Sequence, residues 1–184
     1  MNIGTKVLRF YNLSKYRVDE SVNEKINKTE FIELIEANKL PLYRLAKGIV
    51  KNEHDIQDAV NESILKAFEN LGKLKNRECF KPWLMRILVN ECYALLKRQK
   101  KVKLEENMTI YDMYYEENNQ HELMDEIEKL ELEFRTVLIL FYYEDMSIKS
   151  ISEVLNISQG TVKSRLSRAK AKLKAILDES EGGV

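Results

Sequence analysis

Residues 147–170 read SIKSISEVLNISQGTVKSRLSRAK, and the order of polar and apolar positions in this stretch decides the fold. Ser147 is placed to cap a two-turn helix whose buried side is Ile148, Ile151 and Leu155. Asn156 follows, one of the few non-glycine residues that tolerate a left-handed backbone, so the chain turns there. Ile157 plugs the corner and Ser158 caps a second helix. In that helix Val162, Leu166, Ala169 and Leu173 keep helical spacing and must face inward. Fixing the inward face fixes the outward one: Lys163, Ser164, Ser167 and Arg168 form a single polar stripe. Gln159, Gly160 and Thr161 sit at the helix start, where free backbone N–H groups can hold a phosphate. This is the pattern of a helix-turn-helix whose second helix enters a major groove, with one face on base edges and flanking cations on phosphates. Arg165, Lys170 and Lys172 read as backbone contacts or solvated charge.

Outward from this motif the chain remains helical. Only six glycines and two prolines occur in 184 residues, well below the usual combined share of about 12%, which excludes a turn-rich β architecture. The predicted fold class is all-α, with two small helical domains joined by an acidic linker. Thr29 is a candidate cap before Phe31, Ile32, Leu34 and Ile35, and the stripe resumes after Pro41. Ile56, Ala59, Val60, Ser63, Ile64, Ala67, Phe68 and Leu71 repeat over four turns as an amphipathic helix. Asn52 caps it, and Gly72 is its expected terminator. Pro82 opens a further helix at its first turn, with Trp83, Leu84, Ile87, Leu88, Ala94 and Leu95 on its apolar side. Leu123 to Phe141 is expected to form one more long amphipathic helix.

Charge is segregated along the chain although its total is zero. Phe31 to Lys101 carries 14 basic and 9 acidic residues, Glu105 to Glu133 has 11 acidic against one basic, and Ser147 to Leu177 has 7 basic against one acidic. Two basic blocks around an acidic one point to a nucleic-acid partner. The implied organisation is an N-terminal extension (1–28), a first unit (29–101), a linker (102–121), a second unit (122–177) and a tail (178–184). No apolar run reaches the ~18 residues of a membrane span, and the start has no secretory pattern. Cys79 and Cys92 lack metal-site spacing and suggest a reducing, cytoplasmic setting. His54 with Asp58 reads as a surface capping pair. With no nucleophile beside a base, no glycine-rich phosphate loop and no ligand triplet, neither catalysis nor a cofactor is expected.

Gly160-Thr-Val-Lys-Ser-Arg-Leu-Ser-Arg-Ala-Lys resembles the end of region 4 of a bacterial RNA polymerase sigma factor. Asp55-Ile-Gln-Asp-Ala-Val-Asn-Glu-Ser-Ile-Leu-Lys-Ala-Phe resembles region 2.2, and Phe80-Lys-Pro-Trp-Leu-Met-Arg-Ile-Leu-Val-Asn-Glu is similar to regions 2.3–2.4. The resemblance spans roughly residues 30–177 and is to the minimal, extracytoplasmic-function (ECF) type. It implies a factor that binds core RNA polymerase, recognises −35 and −10 promoter elements and promotes strand opening. The alternative is an autonomous helix-turn-helix repressor or activator, binding duplex as a symmetric dimer.

By this resemblance the −35 contacts fall on Gln159, Gly160, Thr161, Lys163, Ser164, Arg165, Ser167 and Arg168. The −10 contacts fall on Leu74, Lys75, Asn76, Arg77, Asn90 and Arg98, where a cationic loop can follow a single strand and polar groups can read an extruded base. Asp55, Asp58, Asn61 and Glu62 are expected to meet the β′ clamp helices, and the β flap and an anti-sigma factor are further implied partners. Phe80 and Trp83 are expected in the core. Asn61, Ser63 and Ile64 stand where the family commonly has Gln, Thr and Phe, and Ser152 replaces a common Ala at an expected small packing cost. The linker acids Glu105, Glu106, Asp112, Glu116 and Glu117, interleaved with Tyr111, Tyr114 and Tyr115, allow a nucleic-acid mimic, a shield for the basic units or a plain tether. The lead, with Leu8, Phe10, Tyr11, Leu13 and Tyr16, has no assigned role.

Overall fold

The computed structural model describes residues 26–74, 76–106 and 123–181, and among these there is no β-strand. Helix α1 spans Lys28–Lys47 and α2 spans Glu53–Glu69, followed by single 3₁₀ turns at Leu71–Lys73 and Arg77–Cys79. Helix α3 runs Phe80–Glu106, α4 Leu123–Glu128, α5 Leu132–Leu138, a π-helical turn Ile139–Tyr143, α6 Ile148–Leu155 and α7 Gln159–Glu181.

The first unit packs α1, α2 and α3 around Phe31, whose ring meets Phe68 and Phe80 edge-on at centroid distances of 5.4 and 5.9 Å. The apolar stripe read for α2 is the buried one: Ile56, Ala59, Ile64, Ala67 and Phe68 are all inside, along with Leu84, Met85, Leu88 and Val89 of α3. Ser63 is also buried, and its hydroxyl donates to the Ala59 carbonyl one turn back, so a polar residue costs no unsatisfied group there. Asn52 caps α2 as expected, accepting from the His54 N–H at 2.8 Å and the Asp55 N–H at 3.4 Å.

Four local expectations change. The cap of α1 is Asn27, not Thr29: its side chain accepts the Glu30 N–H at 3.0 Å. Pro41 does not divide α1, which stays continuous through it. Gly72 does not terminate α2. Asn70 does so, with both its backbone N–H and its side-chain amide donating to the Lys66 carbonyl, while Gly72 lies within the first 3₁₀ turn without a positive φ.

The fourth change is the largest. The stripe from Leu123 to Phe141 is not one helix but α4, α5 and the π turn. Arg135 explains why the break is tolerated, because its guanidinium donates to the carbonyls of Glu128 and Leu130 that the interruption frees.

In the second unit α5 and α6 pack on α7, with Ile151, Val154, Val162, Leu166 and Ala169 enclosed. The two units are docked against one another, α6 lying on α3 and the π turn on α1, so one cluster of buried apolar residues runs through both. No helix among the described residues is long and apolar enough to cross a membrane.

Candidate nucleic-acid interface

The helix-turn-helix is built by capping at both ends of its turn. The Ser147 hydroxyl accepts the Ser150 N–H at 3.0 Å to start α6, and the Ser158 hydroxyl accepts the Thr161 N–H at 3.0 Å to start α7. Asn156 takes the left-handed conformation between them, with φ 53 and ψ 47. Ser152 does more than replace a small apolar residue: its hydroxyl donates to the Ile157 carbonyl at 2.6 Å, tying the first helix across the turn. Val154 shares the buried side of α6 with Ile151, while Ile148 and Leu155 lie at its half-buried edges.

With Val162, Leu166 and Ala169 inside, Gln159, Gly160, Lys163, Ser164, Ser167 and Arg168 are all exposed on α7, and Thr161 is half-buried beside them. Neither Lys163 nor Arg168 has an acidic partner among the described residues, so both cations are available to phosphate or base. Arg165, Lys170 and Lys172 of α7 are engaged within the protein. Arg165 turns toward α5 and pairs with Glu133 at 2.8 Å, which separates it from the exposed stripe. Lys172 pairs with Glu131 and holds that exposed carboxyl below the usual carboxylate range. Lys170 sits over the rings of Phe141 and Tyr142 at 5.8 and 5.5 Å.

The second group of candidates lies where α2 gives way to α3. Leu74 is half-buried against the core, while Asn76 is exposed and its side chain accepts the Glu78 N–H at 3.0 Å, capping the second 3₁₀ turn. Arg77 is exposed and ion-paired with Glu30. Lys75 lies outside the described residues. On α3, Asn90 and Arg86 are both exposed and four positions apart, hence on one face, and Arg98 is exposed further along. Phe80 is fully buried in the core as expected, while Trp83 is half-buried and packs against that core, their rings tilted with centroids 6.0 Å apart.

The third group faces outward from α2. Asp58 and Glu62 are exposed, Asn61 is half-buried, and together with Lys66, Glu91 and Arg98 they line a groove between α2 and α3. Asp55 leans toward α3 and accepts a hydrogen bond from the Gln99 amide at 2.7 Å. Lys66, Glu91 and Gln99 escape sequence reasoning, because only tertiary packing brings residues 25 to 44 positions apart together. Lys66 bonds Glu91 at 2.6 Å and lies 3.4 Å from Glu62, and these carboxylates raise its pKa, the Glu91 hydrogen bond contributing most. Among the described residues no three His, Cys, Asp or Glu side chains gather as a metal site would require. The acids Asp112, Glu116 and Glu117, the tyrosines beside them, His121 and the lead through residue 25 fall outside the described residues, as do the side chains of Glu105 and Glu106.

Two exposed cationic faces, one on a helix-turn-helix and one on a three-helix unit, coincide with two family matches. Residues 34–102 match the model for sigma-70 region 2, and residues 120–173 match the one for sigma-70 region 4. The RNA polymerase sigma factor SigV of Bacillus subtilis is 34% identical over 152 residues, covering 79% of this chain and 90% of that protein. The chain belongs to the sigma-70 family, as an ECF-type sigma factor. The ECF RNA polymerase sigma factor SigW of the same organism is 26% identical over 169 residues, covering 82% of this chain and 90% of that one.

Among solved structures, the sigma factor RpoE from Bartonella quintana, crystallised with the anti-sigma factor NepR, superposes with a TM-score of 0.70. It is 20% identical, with 82% of this chain and 98% of that chain covered, and supports the fold. CnrH, solved with the cytosolic domain of CnrY, gives a TM-score of 0.62 at 26% identity, with 83% and 90% covered. In this ECF sigma factor α1 to α3 therefore form region 2, and α4 to α7 carry region 4 with its helix-turn-helix.

Proposed function

We propose that this sigma factor binds core RNA polymerase, recognises −35 and −10 promoter elements and promotes strand opening. The observation that carries the reading is the free polar face of α7. Lys163, Ser164, Ser167 and Arg168 are exposed together beside the open helix start at Gln159 and Gly160. That face fits a major groove at the −35 element, side chains reading base edges and the helix N-terminus meeting a phosphate. Arg165, paired with Glu133, acts there by orienting α7 rather than by touching bases.

The −10 element falls to the loop after α2 and to Asn90 on α3, with Arg86 and Arg98 on flanking phosphates and Leu74, Lys75, Asn76 and Arg77 along the single strand. Asp58, Asn61 and Glu62 present a carboxylate-rich face to the β′ clamp helices, and Asp55, tethered to Gln99, supports it from the first turn of α2. Region 4 meets the β flap. An anti-sigma factor is a fitting regulator, since both solved structures above are complexes with a second protein, one of them named an anti-sigma factor. The protein acts in the cytoplasm, without catalysis of its own. An autonomous helix-turn-helix regulator would leave the groove between α2 and α3 without a task.

In vitro transcription tests the reading. Core polymerase and a genomic fragment library are combined with the wild-type chain, with Lys163→Ala/Ser164→Ala, or with Asn90→Ala. New start sites that require the wild-type chain are expected, reduced by both variants while core binding persists. No core binding together with tight binding to duplex DNA alone would favour the autonomous regulator.

A further inference from the structure

Residues 1–25 lie ahead of the region 2 match, which begins at residue 34, and the promoter reading gives them no task. Their charges are ordered all the same. Lys6, Arg9, Lys15 and Arg17 are the charged side chains of the first 17 positions, and no acid occurs before Asp19. Phe10, Tyr11 and Tyr16 lie among these cations. Cations that follow phosphates, interleaved with rings on which bases stack, are what a single-strand binder needs. Positions 18–25 then hold Asp19, Glu20 and Glu24 against Lys25, setting the cationic stretch apart from α1.

The structure fixes where this segment is attached. Ile26 is buried in the core of region 2, and Asn27 caps α1 by accepting the Glu30 N–H at 3.0 Å. Glu30 pairs with Arg77 of the loop after α2, and the Phe31 ring lies 5.9 Å from that of Phe80, the first residue of α3. The segment is therefore rooted at the −10 site proposed above, beside the loop and at the start of the helix that carries Arg86 and Asn90. Glu30 also neutralises Arg77, so the loop offers an opened strand less positive charge than its sequence suggests. Asn90 stands ~15 Å from Phe80 along α3 at ~1.5 Å per residue. Residues 18–25 span at most about 28 Å, enough to bring the cations to a strand passing Asn90.

We infer that residues 6–17 act as a nucleic-acid-binding arm that holds single-stranded DNA beside the −10 element, the four cations on phosphates and the three rings on bases. The inference rests on the promoter reading for its place and extends the region 2 contact beyond the loop and α3. An anionic lipid surface also attracts such a segment. Attachment next to the strand-opening site favours the DNA.

Fluorescence anisotropy of the full chain, titrated with KCl, tests this on a labelled single strand of mixed sequence and on a duplex of the same length. Lys6→Gln/Arg9→Gln/Lys15→Gln/Arg17→Gln should weaken strand binding at least about tenfold and flatten the dependence of log K on log salt by ~3, four cations at ~0.7 each. Phe10→Ala/Tyr11→Ala/Tyr16→Ala should weaken strand binding at least about fivefold, with the salt slope and the duplex affinity unchanged. Wild-type affinity and slope in the charge variant overturn the arm. Failure of the wild-type chain to bind the strand, with binding to phosphatidylglycerol vesicles instead, overturns it in favour of a lipid surface. If the chain binds the strand through these residues but yields no transcript with core polymerase, the promoter reading fails while the arm stands.

Discussion

Asn156 gives the sharpest test of how this sequence makes its recognition helix. It is exposed, holds φ 53 and ψ 47, and its N–H closes the end of α6 on the Ser152 carbonyl. An L-residue pays about 1–2 kcal/mol for this conformation, asparagine pays less than most, and a β-branched residue pays the most. Asn156→Val should therefore destabilise the full chain by about 2 kcal/mol, which at ~2–4 °C per kcal/mol for a chain of this size lowers Tm by roughly 4–8 °C. Asn156→Gly relieves the steric cost but loosens the unfolded chain, so it should stay within ~0.5 kcal/mol of wild type. Thermal melts followed by circular dichroism measure both variants. Duplex binding by Asn156→Val should weaken as well, because Ile157 and Ser158 carry the turn directly into the reading face of α7. The reasoning fails if Asn156→Val melts with wild type. It fails equally if Asn156→Gly falls as far as Asn156→Val, since the side chain and not the backbone would then be what matters.

Three further outcomes are expected. Asn52→Ala removes the acceptor for the His54 and Asp55 N–H groups and should cost about 1 kcal/mol, read as a lower urea midpoint with an unchanged slope. Of the two thiols only exposed Cys79 should react rapidly with a disulfide reagent in the native protein. Cys92 is buried beside Glu91 and its pKa is pushed up to about 12, so it should react only on unfolding, and two fast thiols would contradict the packing of α3. Glu131 is held below its ordinary value by Lys172, so the pair contributes at pH values above the unfolded carboxylate range, and that contribution disappears as pH falls through the lowered folded value. A side-chain carboxyl NMR titration should show the low midpoint, and Lys172→Met should raise it to the usual range.

Each element whose cause lies within a few residues was legible from local sequence. Ser147, Asn156 and Ser158 set the ends of α6 and α7 through local hydrogen bonds and backbone preference. Helical spacing of Val162, Leu166 and Ala169 turned Lys163, Ser164, Ser167 and Arg168 outward before any neighbour was known, and Asn52 and the stripe from Ile56 to Phe68 fixed α2 in the same way. Tertiary structure alone decided what depends on distant partners. Arg165 leaves the reading face because Glu133, 32 positions earlier, lies beside it. The break in the stripe from Leu123 to Phe141 is tolerated because Arg135 satisfies the carbonyls that it frees, and the same side chain reaches the Ile49 carbonyl just beyond α1. Ser152 becomes a tie across the turn because the Ile157 carbonyl folds back to its hydroxyl. Glu144 reads as one more surface acid in an acidic stretch until folding places it 2.6 Å from Arg44, a residue 100 positions away. Periodicity reports which face of a helix is apolar, but not which charge on another element will meet it, since that pairing depends on a distance only the folded chain sets.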